Sequence, residues 1–358
     1  MSHNSSIEKT QNAGTLNTAN HPLDLIIIGA GPIGISCAIQ AKKKGLSYLV
    51  LEKGCMTNSL YNYPLDMQFF SSSEKLELED IPFNSIEAKP RRKEALEYYR
   101  RVSDHFELNI QLFETVGDIQ LIKQKTTKLT AHQEGLKHND GTDLFQVNTS
   151  KATYFTKNVT IATGFFDLAE ALKVPGEELP KVSHYFKEAH YYSGQNLAVI
   201  GASNSAIDAA LACYRKGAQV TLIIRGPEVG PRVKYWVRPD IMNRIKEGDI
   251  GVYYNASVTE IAKNSLSFTQ DGILNTIEND FVLALTGYRP NLPFISQLGI
   301  TLEGAAKIPS HDPKTMETNV PGLYLAGVIC GGLETHKWFI ENSRAHGDLI
   351  TEHILSKT

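Results

Sequence analysis

Three glycines with the spacing of a phosphate-binding turn lie near the start of the chain. Gly29, Gly31 and Gly34 belong to the run Gly-Ala-Gly-Pro-Ile-Gly, which follows the apolar run 23–28 and precedes an amphipathic stretch. In such a turn the first glycine permits a tight bend, the second lets the backbone approach a pyrophosphate, and the third lets the helix pack on the strand. The helix N-terminus adds free N–H groups for the anion. The pattern predicts a dinucleotide-binding site.

A carboxylate in the right place supports this interpretation. Glu52 ends the next apolar run, eighteen residues after Gly34, where an acidic side chain accepts hydrogen bonds from ribose hydroxyls. The glycine pattern alone is weak evidence, but strand, turn, helix and acid together are specific. The residues assigned to this first site are Gly29, Gly31, Pro32, Ile33, Gly34, Glu52 and Lys53.

A degraded copy of the turn occupies residues 201–206, with the sequence Gly-Ala-Ser-Asn-Ser-Ala. Ser203 replaces the second glycine, so a small hydroxyl must fit where the backbone meets the phosphate. Arg225 fills the position that is acidic in the first unit. A guanidinium there binds a 2′-phosphate through two hydrogen bonds, which favours NADPH over NADH. The alternatives are a plain strand-to-helix turn and a solvated basic loop. The residues assigned to this second site are Gly201, Ser203, Asn204, Ser205, Ala206 and Arg225.

Two nucleotide sites in one chain indicate hydride transfer through a bound flavin. We expect FAD in the first site and NADPH in the second. The electrons must then leave the flavin for an acceptor, which is a small-molecule disulfide or another small oxidant. The two turns themselves do not distinguish between such acceptors.

The positions of the motifs predict an α/β fold with two Rossmann-like, three-layer domains, the second inserted into the first. Each glycine turn joins a buried strand to a helix within a βαβ unit. Between the two units, from about residue 116 to residue 163, strand-like runs alternate with polar turns such as the one at 139–141, which predicts an antiparallel meander. The predicted limits are 1–21 for a disordered tail, 22–170 and 282–358 for the FAD-binding domain, and 171–281 for the NADPH-binding domain.

Composition excludes several other classes of function. The formal net charge is −3, so there is no basic excess to recruit nucleic acid or an anionic membrane. No apolar run approaches the ~18 residues of a membrane span, and the first twenty residues lack the apolar core of a signal peptide. The cysteines, Cys37, Cys55, Cys213 and Cys330, are scattered, without a Cys-x-x-Cys pair or a zinc spacing. We expect no metal and a reducing, cytosolic environment.

With these motifs established, the chain resembles the thioredoxin reductase-like flavoproteins from about Leu23 to Ile354, through GAGPIG, IATG, LTGYRP and LYLAG. More narrowly, it is similar to the bacillithiol disulfide reductase family. The stretches that carry this similarity are NSLYNYPLDMQFFSSSEKLEL at 58–78, RGPEVGPRVKYWVRPD at 225–240, and AGVICGG with FIENSRAHG within 326–347. The resemblance implies FAD, NADPH, a homodimer, a cytosolic location and no Cys-x-x-Cys pair.

The resemblance also implies roles for single residues. Family members with a known thiol role carry a cysteine after the proline of the first glycine turn, close to the flavin. Ile33 occupies that position here, and an isoleucine cannot form a mixed disulfide. Either another thiol serves, or this chain reduces something else. The further flavin contacts assigned on this basis are Asn58, Thr163, Gly164, Gly327 and Val328.

Two residues near the C-terminus are the candidates for catalysis. Cys330 follows the Leu-Ala-Gly segment, which in such folds runs beside the flavin, and a useful thiolate there needs a depressed pKa. Its alternative is a small buried side chain in a packed turn. His336 is expected to head the last helix, from about Glu334, and to donate to the reduced flavin or move a proton. A helix cap or a surface position is the alternative for this histidine.

Two further functions stay open beside a disulfide reductase. A flavin-dependent monooxygenase also uses two such turns without a cysteine pair, but residues 186–192 match its Phe-x-Gly-x-x-x-His motif poorly. A ferredoxin or flavodoxin reductase also lacks the cysteines and needs a docking surface for an acidic carrier, which the overall charge does not favour. We therefore interpret the chain as an NADPH-dependent FAD oxidoreductase that acts on a disulfide.

Overall fold

The computed structural model describes residues 17–123 and 143–357. The predicted turn at 139–141 lies outside these residues, and so do the first sixteen residues of the predicted tail. Asn17, within that tail, is tied to the sheet, because its side-chain amide donates to the carbonyl of Phe155 at 2.9 Å and its oxygen accepts from the Phe155 N–H at 2.5 Å. The tail limit predicted at residue 21 therefore lies too far along the chain.

The strands of the described residues alternate with helices and form two main sheets, one in each domain. In chain order they are β1 (Leu23–Ile28), β2 (Tyr48–Leu51), β3 (Ile110–Gln111), β4 (Val116–Ile122), β5 (Leu144–Thr149), β6 (Thr153–Ile161), β7 (Leu168–Ala169), β8 (Val182–Ser183), β9 (Asn196–Ile200), β10 (Gln219–Ile223), β11 (Gly251–Tyr253), β12 (Ala256–Ile261), β13 (Ser265–Gln270), β14 (Ile273–Glu278), β15 (Phe281–Ala284), β16 (Tyr288–Arg289), β17 (Leu302–Glu303), β18 (Ile308–Pro309) and β19 (Leu323–Leu325).

The helices include the two that follow the glycine turns. In chain order they are α1 (Pro32–Lys43), α2 (Asn58–Asn62), α3 (Ser73–Leu76), α4 (Arg92–His105), α5 (Asn204–Arg215), α6 (Arg238–Glu247), α7 (Leu292–Gln297), α8 (Ile340–Ser343) and α9 (His346–Ser356). A 3₁₀ turn covers Gly327–Gly331. Pro32 opens α1 at a position where its missing N–H would have no intrahelical partner.

The first sheet has the strand order β3-β2-β1-β6-β5-β4, and β19 pairs with the C-terminal part of β6. β4, β5 and β6 form the predicted antiparallel meander, while β1 runs parallel to both of its neighbours. Leu25, Ile26 and Ile27 of β1 are fully buried, since a central parallel strand is covered on both faces. The first βαβ unit is thus confirmed.

The second sheet is parallel, with the order β11-β10-β9-β15-β8, and β12-β13-β14 form a small antiparallel sheet beside it. The predicted class of two Rossmann-like domains is confirmed. The chain passes between the two domains twice. Strands β7 and β16 lie in these two connections and pair with each other. The predicted domain limit at residue 282 falls inside β15, because Phe281–Ala284 pairs with β9 and β8 in the second sheet.

Residues 17–123 and 143–357 contain neither a membrane-spanning helix nor a cluster of metal-binding side chains. No helix in these residues has the length and apolar character needed to cross a membrane. The same residues contain no group of three or more His, Cys, Asp or Glu side chains arranged to hold a metal ion.

Candidate functional site

The first glycine turn lies between β1 and α1, and each glycine meets a different requirement. A Cβ at Gly29 would lie 2.6 Å from the carbonyl oxygen of Ala162, and a Cβ at Gly34 would lie 1.8 Å from the carbonyl oxygen of Gly29. Only glycine fits at these two positions, because neighbouring backbone atoms pack against them too closely for a side chain. A Cβ at Gly31 would have no heavy atom within 4 Å. The free space at Gly31, at the N-terminus of α1, is where the sequence places the pyrophosphate.

Glu52, at the end of β2, connects the glycine turn to the sheet. Its Oε2 accepts from the Ala30 N–H at 2.8 Å, and its Oε1 accepts from the Gly54 N–H at 2.9 Å. Burial raises the pKa of Glu52. Each carboxylate oxygen has a second lone pair, so the side chain can still accept from a ribose hydroxyl. The neighbouring Lys53 pairs with Asp167 at 2.7 Å.

A cavity of about 710 Å³ begins at this turn and extends to the second domain. It lies within the usual range of small-molecule sites. The predicted cofactor residues that line it are Gly29, Gly31, Pro32, Ile33, Glu52, Lys53, Asn58, Thr163, Gly164, Asn204, Ser205, Gly327 and Val328. The predicted residues that lie outside its lining are Gly34, Gly201, Ser203, Ala206, Arg225, Cys330 and His336. The cavity thus joins both glycine turns.

Two observations of the structure indicate that the cavity lining fits FAD. Thr163 Oγ1 is buried and has no hydrogen-bond partner in the described part of the chain. Because a buried hydroxyl without a partner is costly, this orphan indicates that a ligand supplies one. The open space beside Gly31 is the second observation, since a side chain there would fill the cavity. Gly31, Glu52 and Thr163 would therefore hold the flavin nucleotide.

The second glycine turn shows the same packing constraint. Gly201 has φ +138°, and a Cβ there would lie 2.5 Å from the carbonyl oxygen of Leu285. Ser203 stands immediately before α5. Asn204 Oδ1 accepts from the Lys234 N–H at 2.8 Å, which holds the basic loop against the start of α5. Arg225 is exposed beyond β10 and has no hydrogen-bond or ion-pair partner among the described residues.

The two domains meet along stretches that lie far apart in the sequence. Lys234 Nζ bridges them, because it pairs with Asp208 at 2.7 Å and donates to the Gln68 carbonyl at 3.4 Å. Phe70 of the first domain and Trp236 of the second have ring centroids 5.5 Å apart. Two of the stretches that carry the family resemblance, 58–78 and 225–240, are therefore in direct contact. Sequence reasoning missed this contact, since nothing local in either stretch specifies it.

An aromatic cluster lies where the chain crosses between the domains. The Phe166 ring centroid is 4.6 Å from that of Tyr63 and 4.5 Å from that of Tyr288, and Tyr185 stacks on Tyr288 at 5.4 Å. Burial raises the pKa of Tyr63 to about 12. Phe166, Tyr63 and Tyr288 line the cavity, so these rings form a rigid apolar wall. Their sequence spacing gives no periodic signal that could have predicted the cluster.

The structure argues against a thiolate at Cys330. Only 1% of the residue is exposed, and its thiol lies 4.0 Å from His346 Nδ1 outside the cavity lining. Burial raises the pKa of Cys330 well above its usual range, whereas a reactive thiolate needs a depressed pKa. Cys37 and Cys213 are buried and Cys55 is half-buried, and none of them lines the cavity. The alternative of a small buried side chain suits Cys330 better.

The placement of His336 at the head of the last helix is wrong. His336 is exposed in a turn, and α9 begins ten residues later at His346. His346 is 3% exposed, and its Nδ1 accepts from the Gly327 N–H at 3.1 Å. Burial and, secondarily, His311 lower its pKa to about 4, so the ring is neutral at ordinary pH. The sequence signal for this residue was its position in the stretch FIENSRAHG, which carried the resemblance.

The neutral His346 should make folding stability depend on pH. Its pKa falls from 6.5 to about 4 on folding, so between these values the unfolded chain binds a proton that the folded chain does not. Its contribution is complete above pH 6.5 and is lost as the pH falls towards 4, by about 3 kcal/mol in total. Urea unfolding at several pH values measures this loss. The variant His346→Asn should show a shallower decline, and equal declines in both proteins would contradict the prediction.

Comparison with known proteins defines the class. The profile of the pyridine nucleotide-disulphide oxidoreductase family matches residues 26–327. Bacilliredoxin reductase Bdr from Bacillus subtilis (strain 168) is 42% identical over 334 residues, which cover 93% of this chain and 97% of that protein. The solved structure of bacillithiol disulfide reductase Bdr (YpdA) from Staphylococcus aureus has a TM-score of 0.86 at 40% identity, covering 94% of this chain and 99% of that one.

The chain therefore belongs to the bacillithiol disulfide reductase Bdr family of pyridine nucleotide-disulphide oxidoreductases. Membership confirms the predicted oxidoreductase class and the predicted cofactors, FAD and NADPH. A more distant relative is ferredoxin--NADP reductase 2 from Listeria innocua, which is 26% identical over 327 residues, 86% of this chain and 85% of that protein.

Proposed function

We propose that the protein reduces a low-molecular-weight disulfide with electrons from NADPH. The observation that carries this proposal is the single cavity that joins Gly31 and Glu52 of the first domain to Asn204 and Ser205 of the second. Bound FAD would accept a hydride from one substrate and pass two electrons to another, which is chemistry that no side chain supplies. The balanced reaction consumes NADPH, a proton and a disulfide, and yields NADP⁺ and two thiols.

The side chains of this protein would bind and orient the reactants. The space at Gly31 admits the flavin pyrophosphate, Glu52 accepts from its ribose, and Thr163 Oγ1 gains its missing partner. Arg225, which is unpaired among the described residues, would bind the 2′-phosphate of NADPH. The aromatic wall of Tyr63, Phe166 and Tyr288 would keep water from the reacting groups.

The choice of a disulfide rests on the relatives, and the cysteines determine the route that we propose. The similar proteins are named for bacilliredoxin and for bacillithiol disulfide. Ile33 lines the cavity at the position where the family resemblance implies a cysteine in thiol-dependent members. The cysteines of this chain lie outside the lining. We therefore propose that the disulfide accepts electrons without a mixed disulfide on this chain. The acceptor must then reach the flavin through the cavity itself.

An anaerobic mixing experiment tests the acceptor. NADPH-reduced protein is mixed with bacillithiol disulfide, glutathione disulfide, oxygen or oxidised ferredoxin, and flavin absorbance reports reoxidation. The proposal expects bacillithiol disulfide to reoxidise the flavin fastest, by at least about 10-fold, because only the correct acceptor should fit the cavity and its rim. Faster reoxidation by ferredoxin would instead favour the activity named for the Listeria innocua relative, and rapid reaction with oxygen alone would favour a monooxygenase-like enzyme.

The variant Cys330→Ala is expected to retain disulfide turnover within about threefold of the wild type, since removing one buried sulfur leaves a small cavity at most. Turnover with bacillithiol disulfide and intact mass after trapping with that disulfide are the measurements. Cys213→Ala is the matched control, because Cys213 is equally buried in the second domain. A wild-type adduct on Cys330, together with loss of turnover in Cys330→Ala alone, would restore the thiol route.

We further propose, from the family resemblance, a cytosolic homodimer. Multi-angle light scattering should then give twice the 39.6 kDa mass of the chain. The scattered cysteines suit a reducing compartment. A monomeric mass at working concentration would remove the homodimer from the proposal without affecting the two nucleotide sites.

A further inference from the structure

A buried histidine supports the cavity wall from behind. Gly327, which lines the cavity, begins the 3₁₀ turn with φ +83°, and its N–H points away from the cavity to His346 Nδ1 at 3.1 Å. The imidazole itself lies outside the lining. The direction of this hydrogen bond makes Nδ1 the acceptor, so the ring proton is on Nε2. One acceptor therefore determines the orientation of the Gly327 peptide.

The same imidazole also contacts a second part of the wall. Trp338, another lining residue, packs edge to face on the His346 ring, with centroids 4.8 Å apart and an interplanar angle of 75°. Gly331 makes room for the indole, because a Cβ at that position would lie 3.2 Å from Trp338 Cδ1. His346 thus contacts the backbone of one wall segment and the aromatic ring of another.

The position of His346 is set by close packing of α9 on α1. A Cβ at Gly347 would lie 2.8 Å from the Cα of Cys37, so the two helix backbones are in contact beside the histidine. Lys44 at the end of α1 pairs with Asp348 of α9 at 2.6 Å. Since α1 begins at the first glycine turn, His346 links the pyrophosphate end of the site to the Gly327 turn through rigid elements.

We propose that His346 is a positioning residue, which holds the Gly327 turn and Trp338 in the arrangement that receives the redox-active ring of FAD. The proposal rests on the FAD site proposed above and adds a residue that touches neither cofactor nor acceptor. Without an acceptor at Nδ1, the Gly327 N–H would be buried and unpaired, and the turn would relax towards another partner. That relaxation would alter the wall that Gly327 and Trp338 contribute to the cavity proposed for FAD.

Three variants of the full chain separate positioning from general packing. His346→Leu removes the acceptor and keeps a similar volume, whereas His346→Asn offers an amide oxygen close to the position of Nδ1. His353→Leu is the matched control, because His353 lies on the same helix, bonds the Tyr324 hydroxyl at 3.2 Å and is outside the cavity lining. Each protein is depleted of FAD and titrated with FAD. Recorded are the dissociation constant, the visible spectrum of bound flavin and the melting temperature of the FAD-free chain.

We expect His346→Leu to weaken FAD binding by about 10- to 100-fold, as for a buried N–H that loses its acceptor, and to shift the flavin absorption bands. His346→Asn should bind FAD within about threefold of wild type and show an unshifted spectrum. This should hold even if its melting temperature falls as much as that of His346→Leu. His353→Leu should also leave FAD binding and the flavin spectrum at wild-type values.

Two outcomes would overturn the proposal for His346 alone. In the first, His346→Leu binds FAD as wild type does, with the same spectrum. In the second, His346→Asn and His346→Leu lose binding equally, which would show that packing rather than the acceptor matters. If the wild-type chain itself binds no FAD, the proposed flavin site fails, and this inference fails with it.

Discussion

The variant Gly31→Val is expected to fold normally and to be purified without FAD. A Cβ at Gly31 would meet no protein atom within 4 Å, and φ at this position is −72°, so valine strains neither packing nor backbone. Its side chain would instead fill the open space at the N-terminus of α1, where we propose that the pyrophosphate binds. We expect FAD binding to weaken by at least about 100-fold, since the anion loses contact with the helix N–H groups.

The measurements for Gly31→Val are flavin absorbance per chain and the circular dichroism spectrum. Gly117→Val is the matched control, because the same side chain in β4 would make only an ordinary contact, 3.7 Å from the Asn148 carbonyl oxygen. Gly34→Ala should behave differently and misfold, since its Cβ would lie 1.8 Å from the Gly29 oxygen. Full flavin content in folded Gly31→Val would show that the pyrophosphate binds elsewhere.

The variant Arg225→Ala is expected to lose most of the preference for NADPH over NADH. The guanidinium is exposed beyond β10 and unpaired in the described part of the chain, so it is available for a 2′-phosphate. A charge-assisted pair of hydrogen bonds contributes about 1.5–3 kcal/mol, which corresponds to about 10- to 150-fold in relative kcat/KM. NADH lacks the phosphate, so its kcat/KM should change little in the variant.

Rates of anaerobic flavin reduction by the two nucleotides measure this preference directly. Arg101→Ala is the control, because Arg101 is an exposed arginine on α4 and its loss changes the net charge equally. The prediction is lost if wild type reduces its flavin equally well with either nucleotide, or if Arg225→Ala keeps the wild-type ratio. In the second case Arg232, on the same basic loop, would be the next residue to test.

The acceptor question is separate from both variants. Gly31 and Arg225 concern the binding of FAD and NADPH, which family membership supports. The disulfide proposal depends on what enters the remaining part of the cavity, beside Ile33 and the aromatic wall. A protein that binds both cofactors and reduces no disulfide would keep its class and lose only its proposed acceptor.

The sequence by itself determined the parts of the site that are contiguous along the chain. The strand, the turn and the helix around Gly29, Gly31 and Gly34 occupy about twenty residues, and Glu52 follows on the neighbouring strand. Their relative positions depend on local geometry and on the pairing of adjacent parallel strands, both of which leave a clear pattern in residue types. For the same reason, the two Rossmann-like units were predictable, and the absence of a Cys-x-x-Cys pair is read directly from the sequence.

Only the tertiary structure decided what depends on contacts between distant segments. The sequence pattern predicted that the last helix begins at about His336. In the structure α9 begins at His346, where Gly347 packs closely on Cys37. Cys330 is buried because it belongs to the same hydrophobic cluster as residues of α1 and α9. These helices are distant from Cys330 or separated from it by a loop, so the local sequence does not indicate the burial. Burial in turn sets the pKa of the thiol and of the imidazole. The chemistry of these two side chains was therefore settled by distant parts of the chain.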